Sequence, residues 1–469
     1  MRESTLPELN EAVEEAAAAL PRYSKVDPRQ RAQFLSQIAT NLENLGDDLL
    51  STASAETNLP IARLTGERAR TCGQLRMFAS LIEDSRWMDI RIDPADPTRT
   101  PAPRPEIRRT QVPLGVTAVF GASNFPLAFS VPGGDTASAL AAGCPVVCKA
   151  HPSHEQTSQL CANAIMDAAK STDMPDSTFR IVFGGPQVGR ALVEHPLIAA
   201  VGFTGSLRGG RALFDYAASR SVPIPVFAEM GSVNPVFLLP TALDHDPAKL
   251  AQAYAASLTL GVGQFCTNPG VLVGIEGSAM SRFMETLSRE LASHEGGTML
   301  DEGILSSYRT GVAARKADER LNALFCGGET RPAVFTTTAS EFIRNRDLQE
   351  ELFGPAALIV RCSDEAELME VAASFAGQLT ATVHFAAADH PFVERLLPTL
   401  ERFAGRIVAN GWPTGVEVGS AMHHGGPYPA TTDSRATSVG TAAIYRWVRP
   451  VAFQDFPLEL LPPELQHRS

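Results

Sequence analysis

One cysteine stands in a loop whose composition does not suit a buried thiol. Cys266 lies in GQFCTNPG, residues 263–270, among glycines, polar residues and a proline. A structural cysteine usually has apolar neighbours, whereas a nucleophilic thiol needs access and a base that takes its proton. Glu229 is a candidate base, because it ends an apolar run in VFAEMGSVNP. The intervening chain is long enough for one strand and one helix, so both residues can return to the same edge of a sheet.

Three further short motifs could complete such a site. Asn124 follows an apolar run, and a side-chain amide there can donate to an oxyanion. GFTGS, residues 202–206, stands at a predicted strand-to-helix junction, where free N–H groups can bind a phosphate. QEELFGP offers Glu350 or Glu351 beside Phe353. Each motif alone is also typical of an ordinary turn, so their order along the chain carries more weight than any one of them.

Alternating strands and helices must position these residues. After a mostly helical region, residues 6–84, five apolar runs beginning at Gly115 are separated by helical segments. This alternation predicts β-α-β units and a parallel sheet, whose ligands bind at the carboxyl ends of the strands. A second alternating set begins near Glu229 with NPVFLLP and GVLVGI. The sequence therefore predicts an α/β protein with two parallel-sheet domains.

Two segments lie outside both sets. The proline- and arginine-rich stretch at 93–109 is predicted to form neither a helix nor a central strand, only a connector or extended arm. The tail segment TSVGTAAIYRWVRPVAFQDFP has strand composition. Strands that their own domain leaves unpaired often pair with a partner subunit.

Composition narrows the classes of function. The 469 residues carry a formal net charge of −12 without a basic run, which argues against nucleic acid or an anionic membrane as the main partner. No apolar segment is long enough to span a bilayer, and the first residues favour a helix over a signal peptide. Seven irregularly spaced cysteines do not suggest a disulfide framework. A cytoplasmic protein is expected.

In chain order, the motifs closely resemble the NAD(P)-dependent aldehyde dehydrogenase family over nearly the whole chain. NFP follows the first strand, a lysine ends the second, GFTGS follows the fourth, and a strand-end glutamate, a loop cysteine and E-x-F-G-P come after. The resemblance implies that Cys266 attacks the aldehyde carbon and that Asn124, with the Cys266 N–H, stabilises the oxyanion. It also implies that Glu229 is the general base for thioester hydrolysis.

The same resemblance implies the cofactor residues. Lys149 would bind the adenosine ribose, and Gly205 and Ser206 would lie beside the pyrophosphate. Glu351 would hold the nicotinamide ribose, with the ring of Phe353 packed near it.

The resemblance also implies a domain plan with a small bridging β-sheet. Residues 1–85 and 114–228 would form the cofactor-binding domain and 229–427 the catalytic domain. Residues 86–113 and 428–469 would join subunits into a homodimer or homotetramer.

Two departures from the family pattern bear on the cofactor. Ser232 stands where a second glycine is usual after the base, which suggests a slightly different floor to the nicotinamide pocket. Pro152 stands where NAD-preferring relatives often carry a ribose-binding glutamate, so nothing there repels a 2′-phosphate. GGPQVG, residues 184–189, supplies no arginine to clamp that phosphate. We expect NADP or NAD, with a slight preference for NADP.

Longer stretches resemble a narrower branch, the 2,5-dioxovalerate (α-ketoglutaric semialdehyde) dehydrogenases. Fatty-aldehyde relatives share these motifs, so a fatty or other aliphatic aldehyde is the alternative substrate. An acidic substrate needs a cation in its pocket. By composition Arg104, Arg108, Arg109 and Arg435 are all possible.

Two functions of other classes stay open at this point: a cofactor-independent cysteine esterase or acyl transferase, and a catalytically silent relative of the fold. The histidines suggest no further chemistry. H-x-x-H at 151–154 lacks a third ligand of suitable spacing, so no metal is expected. His423 and His424 are predicted to shape the pocket or a subunit contact.

Overall fold

Four helices open the computed structural model, which describes residues 2–466. They are α1 (Leu6–Tyr23), α2 (Pro28–Asn44), α3 (Gly46–Thr57) and α4 (Ile61–Glu83). Thr5 and Glu8 form a capping box on α1, and Asp27 accepts a hydrogen bond from the Arg29 N–H at the start of α2. The prediction of a helical region is confirmed. Two strands of a separate sheet follow, β1 (Arg91–Asp93) and β2 (Ile107–Pro113).

A five-stranded parallel sheet comes next. Its strands are β3 (Val116–Phe120), β4 (Val146–Lys149), β5 (Phe179–Val182), β6 (Ile198–Thr204) and β7 (Val226–Glu229), and its helices are α5 (Gly134–Ala142), α6 (Glu155–Ser171), α7 (Pro186–Glu194) and α8 (Leu207–Ala218). The strand order is β5-β4-β3-β6-β7. The chain therefore moves outward from β3 on one side and returns to its other side at β6. Such a reversal opens a crevice between the loops that follow β3 and β6.

A separate, seven-stranded sheet follows in the chain. Its strands are β8 (Val236–Leu238), β9 (Val271–Ile275), β10 (Asn322–Cys326), β11 (Ala333–Thr338), β12 (Ala356–Cys362), β13 (Gln378–His384) and β14 (Ala404–Ala409). The order is β10-β11-β12-β9-β8-β13-β14, and only the edge strand β10 is antiparallel to its neighbour. Its helices are α9 (Pro240–His245), α10 (Pro247–Thr259), α11 (Ser278–Ser293), α12 (Glu302–Ala317), α13 (Ala339–Arg344), α14 (Glu365–Ser374) and α15 (His390–Phe403).

The small sheet corrects one prediction, and the tail segment before it corrects another. β15 (Val448–Gln454) pairs antiparallel with β2, which gives the order β1-β2-β15. The expectation that 93–109 holds no central strand is wrong for residues 107–109, which begin the central strand β2. No proline occurs between Pro105 and Pro113, so this stretch keeps the N–H groups that pairing needs.

The second correction concerns the tail. Thr441–Trp447, within the segment of strand composition, is a 3₁₀ helix. Trp447 is fully buried, and its indole N–H donates to the Ser138 hydroxyl at 2.7 Å. Packing against α5 therefore overrides the local preference for a strand.

Short 3₁₀ turns connect several elements: Ser85–Met88, Pro152–His154, Leu260–Gly263, Arg346–Gln349, Ala387–Asp389, Leu458–Leu460 and Pro463–Leu465. All seven cysteines, which fall within the described part of the chain, are free thiols. Between residues 2 and 466 no helix is both long and apolar enough to cross a membrane.

Candidate active site

The loop that carries Cys266 packs directly on the E-L-F-G-P segment. It leaves a 3₁₀ turn in which Gly261, Val262 and Gly263 all have positive φ. A Cβ on Gly263 would overlap the backbone at Gly354, so this close approach requires glycine. Cys266 is half-buried at the end of the turn and lines a large cleft.

Glu229, at the end of β7, lies beside the cysteine as predicted. Its carboxylate is buried, accepts a hydrogen bond from the Ser438 hydroxyl, and lies 3.0 Å from His424 Nε2. The same Nε2 is 3.5 Å from Cys266 Sγ. The sulfur, the imidazole nitrogen and a carboxylate oxygen all lie within 4.8 Å of one another. This spacing permits proton exchange among the three groups.

The electrostatics of the cluster keep the proton on sulfur. Burial raises the pKa of Cys266 well above its ordinary value, and the charge of Glu229 raises it further. Burial also disfavours the Glu229 carboxylate, but His424 and the Ser438 hydroxyl outweigh it and lower the pKa of Glu229. A protonated thiol therefore faces an ionised carboxylate, which is the pairing that general-base activation needs.

The sequence did not reveal that His424 belongs to this cluster. The side chain is buried and its ring centroid lies 6.4 Å from that of Phe129. Its backbone N–H donates to Thr437 Oγ1 at 2.8 Å, which fixes the loop. His424 is 158 residues from Cys266 in the chain, so no local pattern could pair them. The only sequence signal was a histidine beside two glycines.

Asn124 ties the loop after β3 to the cysteine loop. Its side-chain amide donates to the Gln264 carbonyl at 3.1 Å, two residues before Cys266. Its own carbonyl accepts from Arg63 Nη2 at 2.7 Å. The predicted oxyanion donor is therefore buried next to the nucleophile loop, with its N–H already on a carbonyl.

A cleft of about 750 Å³ opens over the cluster. It is lined by the predicted site residues Asn124, Gly205, Ser206, Glu229, Cys266, Glu351 and Phe353. His151, the first histidine of the H-x-x-H motif, and Arg208 also line it, although neither was predicted as a site residue. Ser206 caps α8 by accepting a hydrogen bond from the Gly209 N–H at 3.2 Å. Lys149 is not part of the lining. It ends β4, and its ammonium donates to the Ala150 carbonyl at 3.1 Å.

Glu351, and not Glu350, faces this cleft. A Cβ added to Gly231 would lie 2.5 Å from Glu351 Oε2, so the carboxylate rests against that glycine. Burial of the carboxyl group within the surrounding protein raises the pKa of Glu351 to about 7, although the residue keeps an exposed side toward the cleft. The Ser232 N–H donates a hydrogen bond to the carboxylate and acts in the opposite direction. Glu350 is exposed, and its carbonyl accepts from Arg315 at 2.9 Å.

Ser232, the departure from the family pattern, points away from this carboxylate. Its hydroxyl is buried and bonds to Gln378 Oε1 at 2.9 Å and to the Leu379 N–H at 3.0 Å. It joins the floor of the pocket to β13, which explains why the cleft tolerates a residue other than glycine there.

The four arginines that composition offered for a substrate carboxylate lie elsewhere. Arg108 donates to the Leu465 carbonyl at 2.6 Å, Arg109 pairs with Asp89, Arg104 donates to the Pro94 carbonyl at 2.9 Å, and Arg435 pairs with Asp433 at 3.0 Å. None of the four lines the cleft. The expectation that one of them faces the substrate is not supported by their positions.

Comparison with known proteins gives the family. The family model described as "Aldehyde dehydrogenase family" matches residues 1–428. The chain belongs to the aldehyde dehydrogenase family. It is thus an NAD(P)-dependent oxidoreductase that acts on an aldehyde, and the α/β fold with a separate small antiparallel sheet is the one predicted.

Two relatives are similar over nearly their whole length. Alpha-ketoglutaric semialdehyde dehydrogenase 2 of Azospirillum brasilense is 49% identical over 98% of this chain and 89% of its own. Alpha-ketoglutaric semialdehyde dehydrogenase of Acinetobacter baylyi is 46% identical over 99% and 89%, respectively.

Among solved structures, glyceraldehyde-3-phosphate dehydrogenase GapN of Methanocaldococcus jannaschii, complexed with NADP, matches with a TM-score of 0.82. It is 20% identical and covers 97% of this aldehyde dehydrogenase and 95% of its own chain. At that identity the likeness concerns the fold.

Proposed function

We propose that this aldehyde dehydrogenase oxidises α-ketoglutaric semialdehyde (2,5-dioxopentanoate) to the corresponding dicarboxylate. Two relatives of 46–49% identity that carry this activity in their names support the proposal. The observation that carries the chemistry is the cluster of Cys266, His424 and Glu229 at the edge of a cleft large enough for a dinucleotide. A fatty or other aliphatic aldehyde is the alternative substrate.

The proposed reaction uses each group of the cluster in turn. Cys266 loses its proton toward Glu229 and its sulfur attacks the aldehyde carbon, giving a thiohemiacetal. The Asn124 amide, turned from the Gln264 carbonyl, and the Cys266 N–H donate to the new oxyanion. NAD(P)+, when bound, accepts the hydride. Glu229 passes the proton it received from Cys266 to solvent and then takes a proton from the water that hydrolyses the thioester, which releases the carboxylate product and the Cys266 sulfur. His424 holds the Glu229 carboxylate in place.

Four of the five proposed cofactor residues line the cleft, and Lys149 lies outside its lining. Gly205 and Ser206 lie at the start of α8, where a pyrophosphate is favoured, and Glu351 with Phe353 would hold the nicotinamide half. Gly231 supports this fit, because any side chain there would displace Glu351. Lys149 would bind the adenosine ribose from the end of β4.

We propose that the enzyme accepts both cofactors with a slight preference for NADP, because Pro152 supplies no carboxylate beside the ribose. Glu3 limits that preference. Its carboxylate accepts a hydrogen bond from the Gly185 N–H at 2.8 Å, at the start of α7. Burial lowers the pKa of Lys149, and the negative charge of Glu3 acts in the opposite direction. Comparison of the two Michaelis constants tests this, and a strong NAD preference would contradict it.

We also propose that residues 86–113 and 428–469 join subunits, while 1–85 with 114–228 bind the cofactor and 229–427 carry the catalytic groups. β15 is an edge strand of the small sheet, which leaves one side of it for pairing. Sedimentation should give a homodimer or homotetramer, and a monomer at micromolar concentration would contradict the proposal.

The central experiment is a direct assay of the purified protein. α-Ketoglutaric semialdehyde and uncharged aldehydes of equal chain length are compared by the absorbance of the reduced cofactor. We expect the largest kcat/KM for the acidic aldehyde. No reduction with any aldehyde would overturn the activity, and ester hydrolysis without cofactor would then favour a cysteine esterase. An unreactive Cys266 would favour a silent relative of the fold.

A further inference from the structure

A second cavity, of about 450 Å³, lies beside α4. Its lining joins one face of that helix to a distant loop: Arg70, Gly73, Gln74, Met77, Val416, Glu417 and Val418. Arg70 and Gln74 are four residues apart, so their side chains lie on the same face of the helix. Arg70 is the charged hydrogen-bond donor of this lining, whereas the Gln74 amide nitrogen lies against Gly134.

Arg70 is half-buried, and most of its hydrogen bonds are unmade. Its Nη1 donates to the Val416 carbonyl at 2.7 Å, but Nε and Nη2 have no partner, and neither has Gln74 Nε2. Within residues 2–466, no carboxylate lies at ion-pair distance from Arg70, although the charges of Glu67, Glu417 and Glu229 act on it. Glu417 shares the cavity but is exposed. A half-buried cation with unpaired N–H groups is costly, and a carboxylate is the ligand that offsets this cost best.

Two rings, those of Phe129 and His424, lie between Arg70 and the nucleophile. The Arg70 guanidinium lies 5.7 Å from the centroid of the Phe129 ring, and that ring is 6.4 Å from His424, whose Nε2 is 3.5 Å from Cys266 Sγ. Electrostatics agrees with this proximity. Burial and Glu229 raise the pKa of Cys266, and Arg70 is the cation that acts against them.

Two other half-buried arginines near the site are held by contacts with the protein. Arg63 donates to the Asn124 carbonyl at 2.7 Å and lies against the rings of Phe125 and Phe265. Arg406 uses both terminal nitrogens on loop carbonyls, at 3.0 and 2.6 Å. Neither of them lines the cavity. Among these three arginines, Arg70 is therefore the one that lines the cavity.

We propose that Arg70 binds the carboxylate at the far end of an acidic aldehyde while its carbonyl carbon is at Cys266. This specificity determinant rests on the proposed function, since it assigns a recognition group to that same substrate class. It selects short oxo acids over uncharged aldehydes of the same length.

The test compares three variants on two aldehydes. Arg70→Met removes the cation, Arg70→Lys keeps a charge without the fork of donors, and Arg68→Met is the matched control. Arg68 is on the same helix and also donates one hydrogen bond to a backbone carbonyl, that of Gly46 at 2.7 Å. The aldehydes are α-ketoglutaric semialdehyde and pentanal.

We expect Arg70→Met to lower the selectivity for the acid over pentanal on the order of 100-fold, mainly through KM, as loss of a buried charge pair does. Arg70→Lys should keep part of the selectivity, and Arg68→Met should keep all of it. Equal losses on both aldehydes would make Arg70 a positioning residue and overturn the proposal. Unchanged selectivity in Arg70→Met would do the same.

A readout without turnover separates this inference from the proposed substrate. Glutarate should slow alkylation of Cys266 by iodoacetamide in the wild type and in Arg68→Met, but not in Arg70→Met. If the wild type oxidises pentanal and not the semialdehyde, the proposed substrate fails, and protection by glutarate that depends on Arg70 would still support the carboxylate site. Protection that survives in Arg70→Met, or is absent from the wild type, would remove that site.

Discussion

The cleft over Cys266 and the Arg70 cavity are built in different ways. Much of the cleft is formed by turns at the carboxyl ends of strands, such as Gly205 after β6 and Gly231 after β7. The cavity is formed by α4, which belongs to neither parallel sheet, and by a loop 346 residues from Arg70. The cleft follows from the topology of the parallel sheets, whereas the cavity forms where two distant segments of the chain pack together. Cofactor binding and aldehyde selectivity can therefore change independently.

The largest expected effect removes the group that both regions serve. Cys266→Ala should abolish dehydrogenase turnover, with a loss of at least about 10³-fold, because no other group can form the thioester. Cofactor binding, followed by quenching of protein fluorescence, should persist in the variant. Full steady-state turnover would refute the nucleophile and remove the reason for comparing the two regions.

Glu229→Gln should act next most strongly. Hydrolysis of the thioester should slow by roughly 10²-fold because the water loses its base. A burst of reduced cofactor should remain, because loss of the Glu229 charge lets the Cys266 thiol ionise without that base. Rapid-mixing absorbance measures burst and steady state separately. An equal loss of the burst and of the steady-state rate would show that Glu229 acts before hydride transfer and not in hydrolysis.

The same variant tests the electrostatics of the cluster. The Glu229 charge raises the pKa of Cys266, so its removal should lower that pKa and move the pH profile of iodoacetamide alkylation to lower pH. An unchanged profile would show that burial alone controls the thiol.

Gly231→Ala sharpens the comparison on the cofactor side. The new methyl would meet Glu351 Oε2 at 2.5 Å and displace it, so we expect KM for the cofactor to rise about 10-fold through lost positioning. Selectivity between the acid and pentanal should not change. Gly66→Ala, where a Cβ meets nothing within 4 Å, is the control. A change in aldehyde selectivity would show that the two regions are coupled.

The smallest effect is expected at Glu3. Glu3→Gln removes a charge at the start of α7 and should increase the preference for NADP a few-fold, or about 1 kcal/mol, as expected for a partly exposed charge. Binding of 2′,5′-ADP and 5′-AMP to the variant gives the ratio directly. Thr5→Ala, in the same exposed segment, should leave the ratio as it is.

Much of the fold was predictable because its signals are local. Apolar runs and their helical connections defined the two parallel sheets, and the strand end at Glu229 and the loop at Cys266 were visible in single short stretches. Residues 107–109 and Thr441–Trp447 were not, since pairing with β15 and packing on α5 decide their structure. Proline content and strand propensity describe a segment and not its neighbours.

The sequence by itself determined the chemical groups: a thiol, a carboxylate and a glycine-containing turn at the start of a helix, in the order of one family. The tertiary structure alone decided that His424 touches both Cys266 and Glu229, that Asn124 bonds to the cysteine loop, and that Arg70 is a half-buried cation facing a cavity. The physical reason is that each of these depends on which distant segments meet and on which hydrogen bonds remain unmade after they pack. Such properties belong to the packed molecule and appear in no single stretch of the chain.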